Sequence, residues 1–369
     1  MNFNDYLIYA KLQLTNLNQF RLIRIVLGNE SCDLDSTVSA CVYAYFLHTT
    51  CSNQNEILYL PVMNTNPSTF RLRTEIRWFF KEYYSNVIFI DDINLNELYD
   101  QNKLEIILVD HHYLRSQLNK VVIEIIDHHQ IKKDSIILQN SSAIKIEPVG
   151  SCCTLIAEKL FESNFEITEE IAYLLTGPIL FDTINFSPSA GKTTEKDRQI
   201  YAKLQSFRSP STDSLELYTN LRQSSCDVTG LSVQDLLQKD AKQIVTPNFR
   251  LIMSSLPMNY TVEKLIAELK ILNDIHEFLS KNDNADGVIM TSVEVKNEET
   301  KRQLGFYIKK IEYIQPLSEY IQNKELKLDL HEHVLPINQS HIKLFDQKNV
   351  HASRKQILPL IEKFIKDFI

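Results

Sequence analysis

The sequence predicts an α/β protein in two parts, a parallel-sheet N-terminal domain and a smaller α+β C-terminal domain. Three observations lead there. Short apolar, β-branched runs in the first half do not alternate with polar residues, so they fit strands buried on both faces in a parallel sheet wrapped by helices. Helix-like segments separate several of those runs. Turn formers at Phe207-Arg208-Ser209-Pro210-Ser211-Thr212-Asp213 break the apolar periodicity, and the strands beyond them lose the βαβ rhythm.

In chain order, the stretch Met1 to Arg24 is amphipathic and carries Asp5, so it reads as a helix rather than a signal peptide. Strands are expected at Leu22 to Leu27, Ile57 to Leu60, Val87 to Ile90, Leu104 to Val109 and Val122 to Ile126. Helices are expected at Ser36 to Leu47, Cys153 to Glu162 and Ile167 to Leu180. The amphipathic run Tyr201 to Leu221 is expected to bridge the two parts. This gives a first domain over 1–207, a linker over 208–222 and a second domain over 223–369. The second domain is expected to hold a helix around Ser232 to Lys239, strands near Phe249 to Ser254, Gly287 to Val295 and Gln303 to Ile308, and a final helix from Ser353. Gln322 to Ser340 is polar and irregular, as a surface loop region would be.

At 369 residues and 44% hydrophobic content the chain can bury large cores, and its length favours two or more domains. Asp and Glu total 47 against 39 Lys and Arg, a net charge of -8, and no basic run with interleaved aromatics suggests nucleic-acid affinity. No apolar stretch reaches membrane-spanning length. The six cysteines form no C-x-x-C pair, which argues against structural zinc and a disulfide framework and fits a reducing cytoplasm.

Four aspartate-bearing blocks carry the chemistry: Gly28-Asn29-Glu30-Ser31-Cys32-Asp33-Leu34-Asp35-Ser36, Leu108-Val109-Asp110-His111-His112, Ile126-Asp127-His128-His129 and Leu180-Phe181-Asp182-Thr183. Each follows or ends an apolar run, so acids and imidazoles are presented at strand tips or at a helix start, where ligands collect in parallel sheets. Asp33 and Asp35, two apart in a turn, can point into one site, although a pair of helix-capping acids would look the same. Asp110 ends a buried strand, where an unpaired carboxylate is costly unless cations share it. Of its neighbours, His112 reads as a solvated loop residue. In Asp127-His128-His129 one imidazole can ligate a metal while the next faces substrate. Asp182 lies in an apolar stretch and needs either a salt bridge or a shared metal.

The ordered motifs G-N-E-S-C-D-L-D-S, L-V-D-H-H, I-D-H-H and L-x-G-x-x-x-x-D resemble the DHH phosphoesterase superfamily. The second half is similar to the DHHA2 domain through Lys239-Asp240-Ala241-Lys242 and Ser353-Arg354-Lys355-Gln356. Three branches share this plan: family II inorganic pyrophosphatases, fungal-type exopolyphosphatases and the Prune proteins. G-N-E-S-C-D-L-D-S-T-V-S-A, D-V-T-G-L-S and S-R-K-Q-I-L-P-L look most like Prune. The resemblance implies two divalent cations, Mn²⁺ or Mg²⁺ with Co²⁺ as an option, held by Asn29, Asp33, Asp35, Asp110, His128 and Asp182, with Asp110 bridging. It implies that His129 faces the phosphate and that Lys242, Arg354 and Lys355 grip phosphoryl oxygens, a role suited to cationic forks. The pyrophosphatase branch carries histidine where this chain has Asn29, a weaker, oxygen-donating ligand.

The expected function is therefore metal-dependent hydrolysis of terminal phosphoanhydride bonds in short-chain inorganic polyphosphate, by a water activated between two metals. Pyrophosphate or a cyclic nucleotide is the enzymatic alternative. Resemblance to Prune also implies a regulatory protein with signalling partners. Three lookalikes stand apart. Gly191-Lys192-Thr193-Thr194 lacks the leading glycine of a phosphate loop and reads as a turn and helix cap. His331-Glu332-His333 has no evident third ligand. Cys152-Cys153, at a helix start, reads as an anion-binding turn or core packing rather than as activated thiols.

Overall fold

A computed structural model describes residues 1–368 apart from 115, 132–142, 164, 189–190, 210–212, 269, 298, 334 and 336–339. It divides into two units, Met1–Ser225 and Cys226–Ile369.

The first unit runs α1 (Phe3–Leu12), β1 (Leu22–Leu27), α2 (Leu34–Thr50), β2 (Ile57–Met63), α3 (Pro67–Phe70), α4 (Thr74–Phe80), β3 (Ile88–Phe89), α5 (Leu95–Asp100), β4 (Leu104–Val109), β5 (Val122–Asp127), β6 (Ala143–Ile146), α6 (Cys152–Phe161), α7 (Glu169–Asp182), α8 (Glu195–Gln205) and α9 (Ser214–Ser225). Its six strands order as β3-β2-β1-β4-β5-β6, and every pairing is parallel. Ile23, Ile25, Ile106 and Leu108 are fully buried, as non-alternating strands in the middle of a parallel sheet must be. The strand order reverses direction between β1 and β4. That switch point opens a crevice at the strands' carboxyl ends. The chain leaves β1 at Gly28, β4 at Asp110 and β5 at His128, so three of the four motif blocks converge there.

The opening helix is shorter than expected: α1 ends at Leu12, a 3₁₀ segment covers Gln13–Gln19, and Arg24 is already in β1. The expected linker over 208–222 also differs. Residues 210–212 of it lie outside the described residues, but from Ser214 the chain forms α9, whose Leu217 and Leu221 are buried in the first core. The amphipathic pattern of Tyr201 to Leu221 is thus the inward stripe of α8 and α9 rather than a bridge. The break falls after Ser225 instead.

The second unit runs α10 (Val233–Gln238), β7 (Ala241–Val245), β8 (Arg250–Ser255), α11 (Val262–Ile266), α12 (Ile271–Lys281), β9 (Gly287–Lys296), β10 (Glu299–Ile308), α13 (Ile314–Ile321), β11 (Leu330–Glu332), β12 (Ile342–Gln347) and α14 (Arg354–Phe368). Its sheet orders as β11-β12-β10-β9-β8-β7, mixed because β8 and β9 pair in parallel and the other pairs are antiparallel. Side chains alternate between the sheet's faces. Met253, Ile289, Leu304 and Phe306 pack with Ile357, Ile361 and Phe364 of α14, while Ile252, Val288 and Met290 pack with Ile275 and Phe278 of α12. The Gln322 to Ser340 stretch holds a 3₁₀ turn (Lys324–Leu326) and β11, an edge strand too short to show a pattern. Among the described residues no helix is long and apolar enough to cross a membrane.

Candidate metal centre

The first motif is a tight strand-to-helix turn. Asp33 is the N-cap of α2 and accepts from the Ser36 N–H at 3.1 Å, an arrangement that satisfies an orphan helix donor. Gly28 is needed for the close approach: a Cβ there would stand 2.3 Å from Ser36 Oγ. That hydroxyl accepts from the Asn29 N–H at 2.7 Å and so pins the turn.

Asp35 is buried in the first turn of α2. Ser151 Oγ–H donates to it at 2.7 Å, and the N–H groups of Cys152 and Cys153 donate at 2.6 and 2.9 Å. The carboxylate therefore sits on the N-terminus of α6, where exposed N–H groups and the helix dipole favour an anion. The anion expected at Cys152-Cys153 is internal. Both thiols are fully buried and pushed up by burial and by Asp35, so they are inert.

The turn before α6 rests on Asp197, which sequence reading passed over. This fully buried carboxylate takes the Gly150 N–H (3.0 and 2.9 Å), the Thr154 hydroxyl (2.6 Å), and the N–H and hydroxyl of Thr194 (both 2.7 Å). A Cβ on Gly150 would lie 3.0 Å from it. Thr194 with Asp197 forms the capping box of α8, so the phosphate-loop lookalike is a turn and cap. The capping-box spacing T-x-x-D was visible in the sequence. Its reach back to Gly150 was not.

Asp110 leaves β4 with φ 63°, a left-handed conformation that Asp tolerates better than most residues. Its side chain is 2% exposed. Oδ2 accepts from Asn29 Nδ2–H at 2.7 Å, whereas Oδ1 is buried with no hydrogen-bond partner. Facing Oδ1 are His128 Nε2 at 3.1 Å and His129 Nδ1 at 3.7 Å. His128 Nδ1–H donates to the Val149 carbonyl at 2.9 Å, which fixes the tautomer and leaves Nε2 bare, 3.7 Å from Asp35. A bare imidazole nitrogen against an orphan carboxylate oxygen needs a proton or a cation between them. Ligand atoms of Asp110, His128 and His129 all lie within 4.8 Å of one another.

Electrostatics point the same way. Burial, then the charges of Asp35 and Asp33, push the Asp110 carboxyl well above its usual range. Burial, then Asp35, Asp33 and Asp110, do the same to Asp182, at the C-terminus of α7. Burial opposes protonation of His128, yet Asp35 and the Val149 carbonyl outweigh it and raise its pKa. Four acids crowd the site, and among the described residues no Lys or Arg forms an ion pair with Asp110 or Asp182. Excess negative charge with a converging nitrogen is a donor set for a divalent cation.

Asp127 plays a different part. It is fully buried and accepts from the His128 N–H (2.7 Å), the His129 N–H (3.2 Å) and His129 Nδ1–H (2.8 Å), and it also binds His112 Nδ1. Burial alone would raise its pKa, but the bonds from His129 and His112 bring it down to about 2. The solvated-loop reading of His112 is thereby corrected: its side chain is 13% exposed because it is locked onto Asp127. His129 is held above its ordinary pKa, first by the bond to Asp127, and its Nε2 edge belongs to a side chain 54% exposed. With Nδ1 on Asp127, Nε2 is the nitrogen left for a ligand, and it donates when the ring is protonated.

Asn29 stands beside the acids, but in an unexpected pose. Its Oδ1 already accepts from the Cys32 N–H at 3.0 Å and the Ser31 hydroxyl at 2.8 Å, which fixes the amide so that its NH₂ faces Asp110. An NH₂ group has no lone pair for a metal, so this geometry makes Asn29 a support for Asp110. Asn29→His is expected to replace that donor with an imidazole lone pair. Metal affinity should rise, and pyrophosphate hydrolysis should gain on tripolyphosphate. Calorimetric metal titration and phosphate release check both, and unchanged values would place residue 29 outside the centre's influence.

In the second unit, Ser353-Arg354-Lys355-Gln356 opens α14. The Ser353 N–H donates to Gln356 Oε1 at 2.9 Å and the Lys355 N–H to Ser353 Oγ at 3.3 Å, a cap that holds two cations at a helix N-terminus against the dipole. Arg354 Nη1 binds Asp240, reaching its carbonyl at 2.7 Å and Oδ1 at 2.8 Å. Arg354 and Lys355 line a cavity of about 250 Å³. Lys242, opposite Met253 in the β7–β8 ladder, projects from the same sheet face as that cavity but is not among its lining residues. His331 and His333 share no ligand set: His331 pairs with Asp329 at 3.1 Å, and His333 lies 3.5 Å from both Glu263 and Asp346.

Comparison with known proteins gives two family matches, the DHH family N-terminal domain over residues 24–179 and the DHHA2 domain over residues 219–364. The chain is 31% identical over 361 residues to human "Exopolyphosphatase PRUNE1", covering 95% of this chain and 78% of that protein. It is 24% identical over 209 residues to a Staphylococcus saprophyticus protein named "Probable manganese-dependent inorganic pyrophosphatase", covering 56% and 65%. A Methanococcus jannaschii crystal structure provisionally assigned to the family II inorganic pyrophosphatases superposes with a TM-score of 0.52 at 22% identity, covering 92% and 98%, and shows the fold.

Proposed function

Because this chain belongs to the DHH family of phosphoesterases and carries its DHHA2 domain, we propose that it is a metal-dependent exopolyphosphatase that releases terminal phosphate from short-chain inorganic polyphosphate. The observation that carries this reading is the buried, unpartnered Oδ1 of Asp110 facing the bare Nε2 of His128. Asp33, Asp35, Asp110, His128 and Asp182 would hold two divalent cations, Mn²⁺ or Mg²⁺, with Asp110 shared. When bound, such cations lower the pKa of water and draw charge from phosphoryl oxygens.

The protein's own groups do the rest. Asp35 is fixed by the start of α6, and Asp110 by the Asn29 amide, so neither carboxylate must reorganise. His129, its pKa raised by the bond to Asp127, would donate Nε2–H to a phosphoryl oxygen when its ring is protonated. In the second unit, Arg354 and Lys355 supply cationic donors for a polyanion. Asn29 in place of a ligating histidine supports polyphosphate over pyrophosphate as the preferred substrate, and so does the exopolyphosphatase name of the human relative.

The reading is tested on the full chain with Mn²⁺ or Mg²⁺ by offering tripolyphosphate, longer polyphosphate, pyrophosphate and cyclic AMP and measuring released phosphate or nucleotide. Tripolyphosphate should be turned over fastest, and only with metal. Faster pyrophosphate or cyclic AMP hydrolysis would refute the substrate assignment.

A further inference from the structure

Arg302, in the second unit, has no role assigned so far and, among the described residues, no ion-pair partner. Arg302 of β10 lies opposite Val293 of β9 and Gln347 of β12. Strand alternation puts it on the face of Leu304 and Phe306, the face that α14 covers. On that face the apolar row Met253, Ile289 and Leu304 gives way at one end to Ser255, Thr291 and Arg302, with Ser255 paired to Thr291 across the β8–β9 ladder. The N-terminus of α14 arrives at this polar end. Ser255, Thr291, Arg302, Arg354 and Lys355 thus line the same cavity of about 250 Å³.

Arg302 is half-buried, and its Nε–H donates to the Val350 carbonyl at 2.6 Å, which anchors the guanidinium plane. Among the described residues no carboxylate lies within ion-pair distance of it. Burial accordingly lowers its pKa without any opposing charge. The contrast with Arg24 on Glu105, Arg250 on Asp283 and Arg354 on Asp240 is plain. A half-buried guanidinium whose two NH₂ groups have no partner among the described residues, beside Arg354 and Lys355 and a pair of hydroxyls, is suited to a tetrahedral oxyanion. The cavity's one acid, Asp240, is already taken by Arg354. Arg302 also lines a wider neighbouring cavity of about 590 Å³.

We propose that Arg302 is a substrate-binding residue that grips a phosphate of the polyphosphate chain, alongside Arg354 and Lys355. This rests on the exopolyphosphatase reading and adds a specificity determinant to it: tripolyphosphate, with a further phosphate, depends on Arg302 more than pyrophosphate does.

The test uses the full chain as wild type, Arg302→Gln and Arg302→Lys. Tripolyphosphate and pyrophosphate binding to metal-free protein is measured by calorimetry, Mn²⁺ affinity and melting temperature are recorded, and kcat and KM are measured with Mn²⁺. Arg302→Gln should weaken tripolyphosphate binding on the order of tenfold to a hundredfold, raise its KM similarly, and change pyrophosphate binding and Mn²⁺ affinity little. Arg302→Lys, which keeps the charge and loses the fork, should fall between. Equal tripolyphosphate affinity in wild type and Arg302→Gln, with the wild type active, overturns this inference alone. Should Arg302→Gln fail to fold, wild-type affinity in Arg302→Lys overturns it instead. A wild type that neither binds nor hydrolyses tripolyphosphate overturns the proposed function, and the inference with it.

Discussion

Asp110→Asn is expected to abolish metal binding and hydrolysis while the chain stays folded. The substitution is nearly isosteric, and Asn tolerates the left-handed backbone at φ 63° as well as Asp does. Its side chain can still accept the Asn29 amide bond, so the turn survives. What disappears is the charge that would be shared between cations. Because burial and the Asp35 and Asp33 charges already press on the Asp110 carboxyl, the metal-free variant should melt at or above the wild-type temperature. Metal addition, which stabilises any protein that binds it in the native state, should raise the melting temperature of the wild type but not of the variant. Near-normal turnover of Asp110→Asn in a metal titration would contradict the shared-carboxylate centre. Asp182→Ala should behave similarly.

The second large effect is expected from Arg354→Ala. Arg354 is the first residue of α14 and, among the described residues, spends only Nη1 on Asp240, which leaves the rest of its fork for phosphate. Losing one charge-assisted contact to a desolvated phosphate should remove on the order of 2 to 4 kcal/mol of transition-state stabilisation. In kcat/KM that is roughly 30-fold to nearly 1,000-fold. Metal affinity should not change, because the residues proposed to hold metal belong to the first unit. Steady-state kinetics with tripolyphosphate together with Mn²⁺ calorimetry check the split. Full activity in Arg354→Ala would make this cation mere surface charge.

The fold class was legible because burial on both sheet faces leaves its mark on every residue of a strand. Leu22 to Leu27 and Leu104 to Val109 match the observed strands residue for residue. Short edge elements such as β6 and β11, with four and three residues, are too brief for a period to declare itself. The domain boundary was displaced for a related reason: turn formers near 208 mark the gap between α8 and α9, and only tertiary packing of Leu217 and Leu221 shows that α9 belongs to the first core. Within the site, residue types at strand tips announced the acids and imidazoles. Their division of labour was not legible. Whether Asp127 or Asp110 faces a cation depends on which carboxylate finds N–H donors, and those come from His112 and His129 folding back. The pose of the Asn29 amide is settled likewise by Cys32 N–H. Arg302 carried no motif at all, and only the ladder register sets it beside Arg354.

The central claim is that the acids and imidazoles at the switch point form a centre for divalent cations. Calorimetric titration of metal-free full chain with Mn²⁺, run in parallel on Asp110→Asn, tests it most directly. The account predicts two bound ions per wild-type chain, a raised melting temperature on loading, and loss of both in the variant. A wild-type chain that binds no Mn²⁺, or a variant that binds it as the wild type does, would contradict it.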